Sequence, residues 1–343
     1  MHGAHKMLKA LRYAQRYAVS RFFAQKPIFL THALTQQCNC KCKICSVWRQ
    51  KENTQELKTH EIFKMLDDAW KLNFVTYLAF GGEPLIRPDA TDILKHAHDL
   101  GFYTSVITNG TFLYSKAEEI AKAVDLTWVS LDYDSDYHDE MRGLKGTFNS
   151  VLKGIRKLKD EGGKIAINCV LSKLNIDAAK KMAKLAQNLE VKVAFDPVEV
   201  LPGVNEEYRL SREESRSLFS EVLELKKRGY PILNSYEFLQ YLISNMRYSC
   251  AQPKVFVDVH ANGEIAPFWC RRNNRILGDL RKQSLGEVLY STIFEDFARM
   301  AEGCSLCGNS STLEVSMFYS YKDFLKNCYK PPGPVVRMIK EYL

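Results

Sequence analysis

Four cysteines lie within the eight residues Cys38 to Cys45: Cys38, Cys40, Cys42 and Cys45. Thiols packed this densely indicate a soft-metal site, because thiolates bind iron-sulfur clusters, zinc or copper(I) in preference to hard cations. The spacing Cys-x3-Cys-x2-Cys selects Cys38, Cys42 and Cys45 and leaves one coordination position open for a substrate or cofactor, since a closed zinc site takes four protein ligands. The alternatives are a zinc knuckle that recruits Cys40 or a distant residue, and a disulfide cluster.

A second group of cysteines lies in the C-terminal third of the chain: Cys250, Cys270, Cys304 and Cys307. The first two flank a pair of apolar runs joined by an Asn-Gly turn at 262–263, which predicts a β-hairpin. The last two form a Cys-x2-Cys pair. Four thiolates would close a full coordination sphere around iron or zinc.

The elements that must position these cysteines follow a repeating pattern of short apolar runs and amphipathic stretches. The runs predict strands at residues 28–34, 74–80, 103–107, 126–131, 164–171 and 191–198. The amphipathic stretches predict helices at residues 59–72, 90–100, 115–123, 147–161 and 175–189. Repeated strand-helix units predict an α/β fold with a parallel sheet, either doubly wound or a partly closed barrel. Functional groups then gather at the carboxyl ends of the strands.

Polar motifs follow these strands in order. The cysteine loop follows the first strand, and Gly81-Gly82-Glu83-Pro84 follows the second. Paired glycines allow a backbone to approach a ligand closely, although a plain turn is the alternative. Ser130 and Asp132 end the fourth strand, and Asn168 interrupts the apolar run of the fifth. These three are ligand groups, or else a solvated edge and a satisfied core amide.

Taken together, these motifs resemble the radical S-adenosylmethionine (SAM) superfamily over roughly residues 28–200. The resemblance implies a partial (β/α)6, TIM-like barrel. It also implies that Cys38, Cys42 and Cys45 hold three irons of a 4Fe-4S cluster, while SAM chelates the fourth. Cys40 has no role in this pattern.

The same resemblance assigns residues to SAM itself. Gly81, Gly82 and Glu83 would hold its amino group, and the backbone of Ile44 would face the adenine. Ser130, Asp132 and Asn168 are the candidates for contacts to the ribose or carboxylate. The segment 139–143 also looks like a stretch common in these enzymes, whereas Ile44 departs from the aromatic residue often found before the third cysteine.

Reductive cleavage of SAM to a 5′-deoxyadenosyl radical, which abstracts hydrogen from an unactivated C–H bond, is the chemistry that the resemblance implies. It requires an electron donor such as ferredoxin or flavodoxin. The cofactors carry this step, so no catalytic acid or base is assigned.

The C-terminal cysteines are similar to the auxiliary-cluster modules called twitch or SPASM domains. The larger form has about seven cysteines, whereas four are available here, or five with Cys328. We therefore expect one auxiliary 4Fe-4S cluster on Cys250, Cys270, Cys304 and Cys307, although Cys270 lies two residues further from Gly263 than usual. Cys169, within an apolar run, is expected to be a buried small hydrophobe.

The expected domain organisation is a basic helix (1–27), a core barrel (28–205), a helical bridge (206–249), an auxiliary-cluster module (250–320) and a tail (321–343). The bridge is expected to be helical over 211–250, and the module to contain a helix over 285–300.

Ten of the 48 Lys and Arg residues, and none of the 40 Asp and Glu residues, lie within residues 1–51. A basic amphipathic helix over 6–26 would bind an anionic membrane surface or pack on the protein's own core. The first alternative predicts a cytoplasmic enzyme, peripheral on the inner face of the membrane, that modifies a lipid chain. No transmembrane helix or secretory signal is expected.

Two other functions remain open. One is peptide modification or cofactor maturation by the same radical chemistry. The other is a non-catalytic zinc protein that binds nucleic acid through its basic arm. Because the basic charge is local, a nucleic-acid partner is not expected.

Overall fold

The sheet has nine strands in a computed structural model that describes Tyr13, Gln15, Arg16 and residues 26–49, 55–244, 248–268, 270 and 275–319. They are β1 Phe29–Thr35, β2 Thr76–Gly81, β3 Tyr103–Thr108, β4 Leu126–Ser130, β5 Ile165–Leu171, β6 Lys192–Pro197, β7 Phe256–Val259, β8 Glu264–Ile265 and β9 Gly278–Asp279. The helices of the first two hundred residues are α1 Thr59–Lys71, α2 Ala90–Leu100, α3 Leu113–Ala123, α4 Tyr137–Arg142, α5 Thr147–Asp160 and α6 Ala178–Leu189. Those that follow are α7 Arg212–Lys227, α8 Tyr236–Ser244, α9 Gln252–Val255, α10 Leu285–Leu289, α11 Thr292–Ala301 and α12 Ser310–Tyr319.

The strand order is β6-β5-β4-β3-β2-β1-β7-β8-β9. The first six strands are parallel and follow the order of the chain without a reversal. A doubly wound sheet would reverse its order at a switch point, so this topology is that of a barrel that is partly closed. The predicted α/β fold with a parallel sheet is confirmed. β7 extends the sheet by pairing, also in parallel, with the free edge of β1.

The two faces of the sheet differ in what covers them. Residues such as Leu30, Tyr77 and Ile167 are fully buried in the main core, beneath the helices. A small apolar cluster that includes Leu126 and Ala166 lies on the opposite, inner face, close to the start of the strands. Because side chains alternate along a strand, Ser130 and Asn168 share that inner face at the strands' carboxyl ends.

Two predicted helices are interrupted in the structure. The stretch 211–250 was expected to be helical throughout, but α7 ends before Gly229, whose φ is +88°, and Pro231 follows. Pro231 cannot continue a helix because its ring fixes φ and removes the N–H. The stretch 285–300 is also divided, because the Ser291 side chain accepts a hydrogen bond from Phe294 N and begins α11 there. The hairpin prediction is correct in position, although β8 is only two residues long.

Only Tyr13, Gln15, Arg16 and Lys26 of the predicted N-terminal helix are described, and the tail 321–343 lies outside the described residues. The Tyr13 hydroxyl donates to Gly101 O at 3.0 Å. The Arg16 guanidinium donates to Trp70 O at 3.2 Å and to Phe74 O at 2.8 Å. These contacts favour packing on the protein's own core. In the described part of the chain, no helix is long and apolar enough to cross a bilayer.

Candidate metal and cofactor site

The cysteine loop begins where β1 ends, and the Gly81-Gly82 pair lies against it. Gly82 N donates to Thr35 O, and Glu83 N to Gln37 O, both at 2.8 Å. A Cβ at Gly82 would stand 2.2 Å from Gln37 O, and one at Gly81 would stand 2.5 Å from Thr35 O. Gly81 also has a φ of +126°, which disfavours other residues. The paired glycines are therefore needed so that the backbone can approach the cysteine loop.

Glu83 joins the ends of β2 and β3 from a fully buried position. Its carboxylate accepts hydrogen bonds from Thr108 Oγ1 at 2.7 Å, from Asn109 N at 2.6 Å and from Leu85 N at 3.1 Å. Burial raises the pKa of Glu83 to about 7, although these hydrogen bonds oppose the shift. Its side chain therefore holds the carboxyl ends of β2 and β3 together.

The C-terminal end of α4 holds the other side of the cysteine loop. Lys41 N donates to Arg142 O at 2.9 Å, and Lys43 N donates to Met141 O at 3.0 Å. Gly143 has a φ of +62°, and a Cβ there would lie 2.5 Å from Lys41 O. The segment 139–143, noted in the sequence for its resemblance alone, thus accepts backbone hydrogen bonds from the residues on both sides of Cys42.

The thiols of the loop interact with one another. Cys40 is fully buried, and Asn109 Nδ2 donates to its sulfur at 3.2 Å. The hydrogen bond with Cys40 lowers the pKa of Cys42 to about 6, with Arg142 adding to the effect, and also lowers the pKa of Cys38. The same interactions raise the pKa of Cys40, whereas burial raises that of Cys45. Two of the three predicted ligands thus favour the thiolate form.

These donors fit an iron-sulfur cluster by their chemistry, because such clusters are held by thiolates. All nine cysteines in the described part of the chain are free thiols. Within that part, no group of three or more His, Cys, Asp or Glu side chains is arranged so that it could hold a metal ion. The structure therefore provides the thiolate donors in one loop without a preformed mononuclear site.

The other residues assigned to SAM are Ser130, Asp132, Asn168 and Ile44, and they differ in how far the protein already occupies their polar atoms. Ser130 and Asn168 are register partners on β4 and β5, half-buried on the inner face. Asp132 is 1% exposed, and the protein uses both of its oxygens, which accept from Val170 N at 2.9 Å and pair with Arg142 at 2.6 Å. The carbonyl of Ile44 accepts a 2.8 Å hydrogen bond from Asn205 Nδ2.

Three residues of the site were missed by sequence reasoning: Asn109, Arg142 and Asn205. Asn109 lies in the stretch Thr108-Asn109-Gly110, whose local sequence indicates only a turn. Arg142 lies within the segment 139–143, whose resemblance was noticed without a role. Asn205 lies 160 positions beyond Cys45 in the numbering, and nothing in its local sequence indicates the contact with Ile44.

The C-terminal cysteines lie near one another. Cys250 N donates to Cys304 O at 2.9 Å, and the Tyr248 hydroxyl donates to Cys307 O at 3.0 Å. Burial raises the pKa of Cys250 to about 11, and the neighbouring thiols of Cys307, Cys304 and Cys270 add to the shift. Thiols are the donors that iron-sulfur clusters and structural zinc use, but in the described part of the chain these four are not arranged around a common metal position.

This second cysteine group is attached to the rim of the barrel. Asp196, on β6, accepts from Ser310 N at 2.7 Å and from Ser310 Oγ at 2.9 Å. Ser310 begins α12 just after Cys307. Both cysteine groups are therefore linked to strands of the same sheet.

The model of the Radical SAM superfamily matches residues 33–186. Among curated proteins, the Fe-coproporphyrin III synthase of Methanosarcina barkeri is 30% identical over 220 residues, which are 60% of this chain and 54% of that protein. The PqqA peptide cyclase of Granulibacter bethesdensis is 30% identical over 167 residues, which are 48% of this chain and 45% of that protein. The chain thus spans about half the length of the curated relatives it matches.

Two solved structures resemble the fold at low sequence identity. Streptococcus suis SuiB bound to S-adenosylmethionine has a TM-score of 0.67 at 18% identity, covering 80% of this chain and 68% of SuiB. Native anSMEcpe with bound AdoMet has a TM-score of 0.66 at 18% identity, covering 80% of this chain and 84% of that one. At this identity the likeness establishes the shared fold.

Proposed function

We propose that the chain is an enzyme that cleaves SAM reductively and acts on an unactivated C–H bond, since residues 33–186 match the model of the Radical SAM superfamily. The observation that carries the proposal is the cysteine loop, held between Gly82 and Arg142 at the carboxyl ends of parallel strands. When bound, a 4Fe-4S cluster and SAM supply the 5′-deoxyadenosyl radical, and the protein supplies orientation and protection from side reactions.

In this proposal Cys38, Cys42 and Cys45 hold the cluster. Gly81, Gly82 and Glu83 bind the amino group of SAM through backbone atoms, since the Glu83 carboxylate is already occupied by three donors. An external reductant such as ferredoxin or flavodoxin supplies the electron.

The remaining SAM contacts follow from position on the inner face. Ser130 and Asn168 lie side by side there and suit the ribose or carboxylate of SAM. The backbone at Ile44, fixed by Asn205, would face the adenine. Both carboxylate oxygens of Asp132 have protein partners, Val170 N and Arg142. Asp132 therefore contributes to the SAM site by holding Arg142.

The test is anaerobic incubation of the reconstituted enzyme with SAM and dithionite, with 5′-deoxyadenosine measured by chromatography. Wild-type enzyme is expected to form it, and Cys42→Ser is expected not to. Metal analysis provides an independent check, because purification with zinc and without iron would support the non-catalytic zinc protein instead.

We also propose that Cys250, Cys270, Cys304 and Cys307 hold an auxiliary 4Fe-4S cluster. Support comes from the proximity of the four thiols and from the hydrogen bond between Cys250 N and Cys304 O. Cys328 lies outside the described residues and has no role in the proposal.

For the substrate we propose a peptide or a tetrapyrrole-type cofactor precursor. The relatives named above include a coproporphyrin synthase and a peptide cyclase, and structures of SuiB and anSMEcpe include bound peptides. The lipid expectation depended on segments that are mostly outside the described residues, and Tyr13 and Arg16 contact the barrel.

Fractions of a cell extract would distinguish these substrates. A peptide substrate would stimulate 5′-deoxyadenosine formation in a small-peptide fraction, and protease treatment would abolish the effect. A tetrapyrrole would act in a protease-resistant small-molecule fraction. Stimulation only by extracted lipids would restore the lipid expectation.

A further inference from the structure

The guanidinium of Arg142 lies between a buried carboxylate and the sulfur of Cys42. Nη2 pairs with Asp132 Oδ2 at 2.6 Å, and Nη1 donates to Cys42 Sγ at 3.8 Å. We propose that Arg142, held by Asp132, is a positioning residue that fixes Cys42 and raises the reduction potential of the cluster bound there. This inference rests on the proposed function, because it assumes that Cys42 is a cluster ligand.

The backbone fixes Arg142 relative to the cysteine loop. Its carbonyl accepts from Lys41 N, and the carbonyl of Met141 accepts from Lys43 N, so the residues on both sides of Cys42 are bound to α4. Gly143 is pressed against Lys41, where only a glycine fits. The distance between guanidinium and sulfur is therefore set by backbone contacts and not by side-chain freedom alone.

Asp132 restricts the side chain of Arg142 in turn. The Arg142 side chain is 12% exposed, and that of Asp132 is 1% exposed. The second carboxylate oxygen is held by Val170 N, which anchors the pair to β5. A planar guanidinium can contact a carboxylate and a sulfur simultaneously, whereas the ammonium of a lysine is a point charge.

One further donor of Arg142 points into this buried region. Its Nε is buried and finds no acceptor among the described residues. Hydrogen bonds to the sulfurs of an iron-sulfur cluster and nearby positive charge stabilise its more negative oxidation state. Arg142 provides both beside Cys42, where burial weakens screening by solvent.

A purely structural role for the ion pair is the alternative. Removing one partner of a buried pair leaves an uncompensated charge, so Arg142→Gln alone destabilises the fold whether or not Arg142 acts on the cluster. The double variant Asp132→Asn/Arg142→Gln replaces both charges by neutral amides, so neither charge is left unpaired. Arg142→Lys keeps the positive charge but loses the planar guanidinium, whose two terminal nitrogens contact Asp132 and Cys42 at the same time.

The experiment is an EPR-monitored redox titration with dithionite on anaerobically reconstituted enzyme, in which each cluster gains one electron. The signal that changes on addition of SAM identifies the cluster with the open position. We expect lower midpoint potentials in Arg142→Gln and in the double variant, and an intermediate value in Arg142→Lys. Iron loss to a chelator should be about 10-fold faster or more, as for other residues that support metal ligands.

Lys145→Gln is the matched control, because it removes an exposed positive charge three residues beyond Arg142 and should leave potential and iron loss unchanged. Folding of each variant is checked by circular dichroism. Folded variants with wild-type potential and wild-type iron retention would overturn the inference alone. Failure of the wild type to bind a cluster would overturn the proposed function instead.

Discussion

Gly82 lies against the backbone of Gln37 with no space for a side chain, since a Cβ there would stand 2.2 Å from the Gln37 carbonyl oxygen. That oxygen also accepts the hydrogen bond from Glu83 N, so the loop cannot move away without losing it. We expect Gly82→Ala to lower stability by about 1–3 kcal/mol or more, and to reduce iron binding by the cysteine loop. Thermal unfolding and iron content measure the two effects.

Gly286→Ala is the control for this substitution. Gly286 lies in the first turn of α10, and a Cβ there would make only ordinary contact with Leu72 at 3.8 Å. Alanine is the better helix former, so stability should be unchanged or higher. A similar loss in both variants would contradict the explanation by close backbone contact.

The register of the three cluster ligands can be tested within the loop. Cys40→Ser should retain the cluster, because Cys40 is buried beside Asn109 and is outside the Cys-x3-Cys-x2-Cys spacing. Cys42→Ser should lose it. Iron content and visible absorbance are measured after anaerobic reconstitution. Loss of the cluster in Cys40→Ser with retention in Cys42→Ser would show that the ligand set is wrong.

The auxiliary site has its own pair of variants. Cys304→Ser and Cys307→Ser should each lower the iron content while the SAM-responsive EPR signal remains. Cys169→Ser is the matched control, because Cys169 is buried in β5 and belongs to neither proposed ligand set. If wild-type protein contains iron for one cluster only, together with zinc that is lost in these variants, the C-terminal cysteines form a structural zinc site.

The raised pKa of Glu83 predicts that the stability of the protein depends on pH. Its pKa is raised by burial to about 7 in the folded protein, above the ordinary value of 4.5. The folded state therefore binds the proton more tightly, so this contribution is complete below pH ~4.5 and is lost as the pH rises towards ~7, at no more than about 1.4 kcal/mol per pH unit. Burial also raises the pKa values of Asp258 and Glu314, so both carboxyl groups likewise make the protein less stable as the pH rises.

Comparison of wild type with Glu83→Gln isolates the effect of this one carboxyl group. The difference in free energy of unfolding between the two, measured by urea denaturation from pH 5 to 8, should change with pH in the expected sense. A difference that is constant across this range would mean that Glu83 does not titrate there.

The N-terminal segment should stabilise the barrel. Arg16 lies 3.6 Å above the Trp70 ring and donates to the carbonyls of Trp70 and Phe74. Arg16→Ala should lower stability by about 1–2 kcal/mol through these contacts. Thermal unfolding measures the loss, and sedimentation with anionic vesicles tests the membrane alternative. Normal stability together with reduced vesicle binding would favour the membrane surface.

Local patterns were sufficient to predict an α/β fold with a parallel sheet, whereas the choice of a barrel came from the family resemblance. Periodicity located α2 at its observed bounds, because its buried positions recur with the helical repeat. β3 was located to within one residue through its run of aromatic and β-branched residues. Helix breaks were harder to predict. The apolar spacing of 285–300 continues through Ser291, and the cap that divides α10 from α11 depends on one side-chain hydrogen bond.

Contacts between distant parts of the chain were beyond such patterns. The thiolate spacing indicated Cys42, but Arg142 stands 100 positions away and belongs to the short helix α4, which lacks a recognisable apolar period. The same limit applies to β7, whose pairing with β1 joins residues more than 200 positions apart. Such pairings depend on which edges the finished fold leaves open.

The position of β1 has a consequence for how the protein is made. The cysteine loop follows β1, which is the first strand among the described residues and acquires its second neighbour, β7, only when residues 256–259 are available. Until then a ribosome-bound chain would expose the unpaired edge of a strand whose residues are mostly buried in the finished fold, next to reactive thiols. On the proposed function, iron and sulfide would best reach the loop after synthesis of the C-terminal third, which also supplies the second cysteine group.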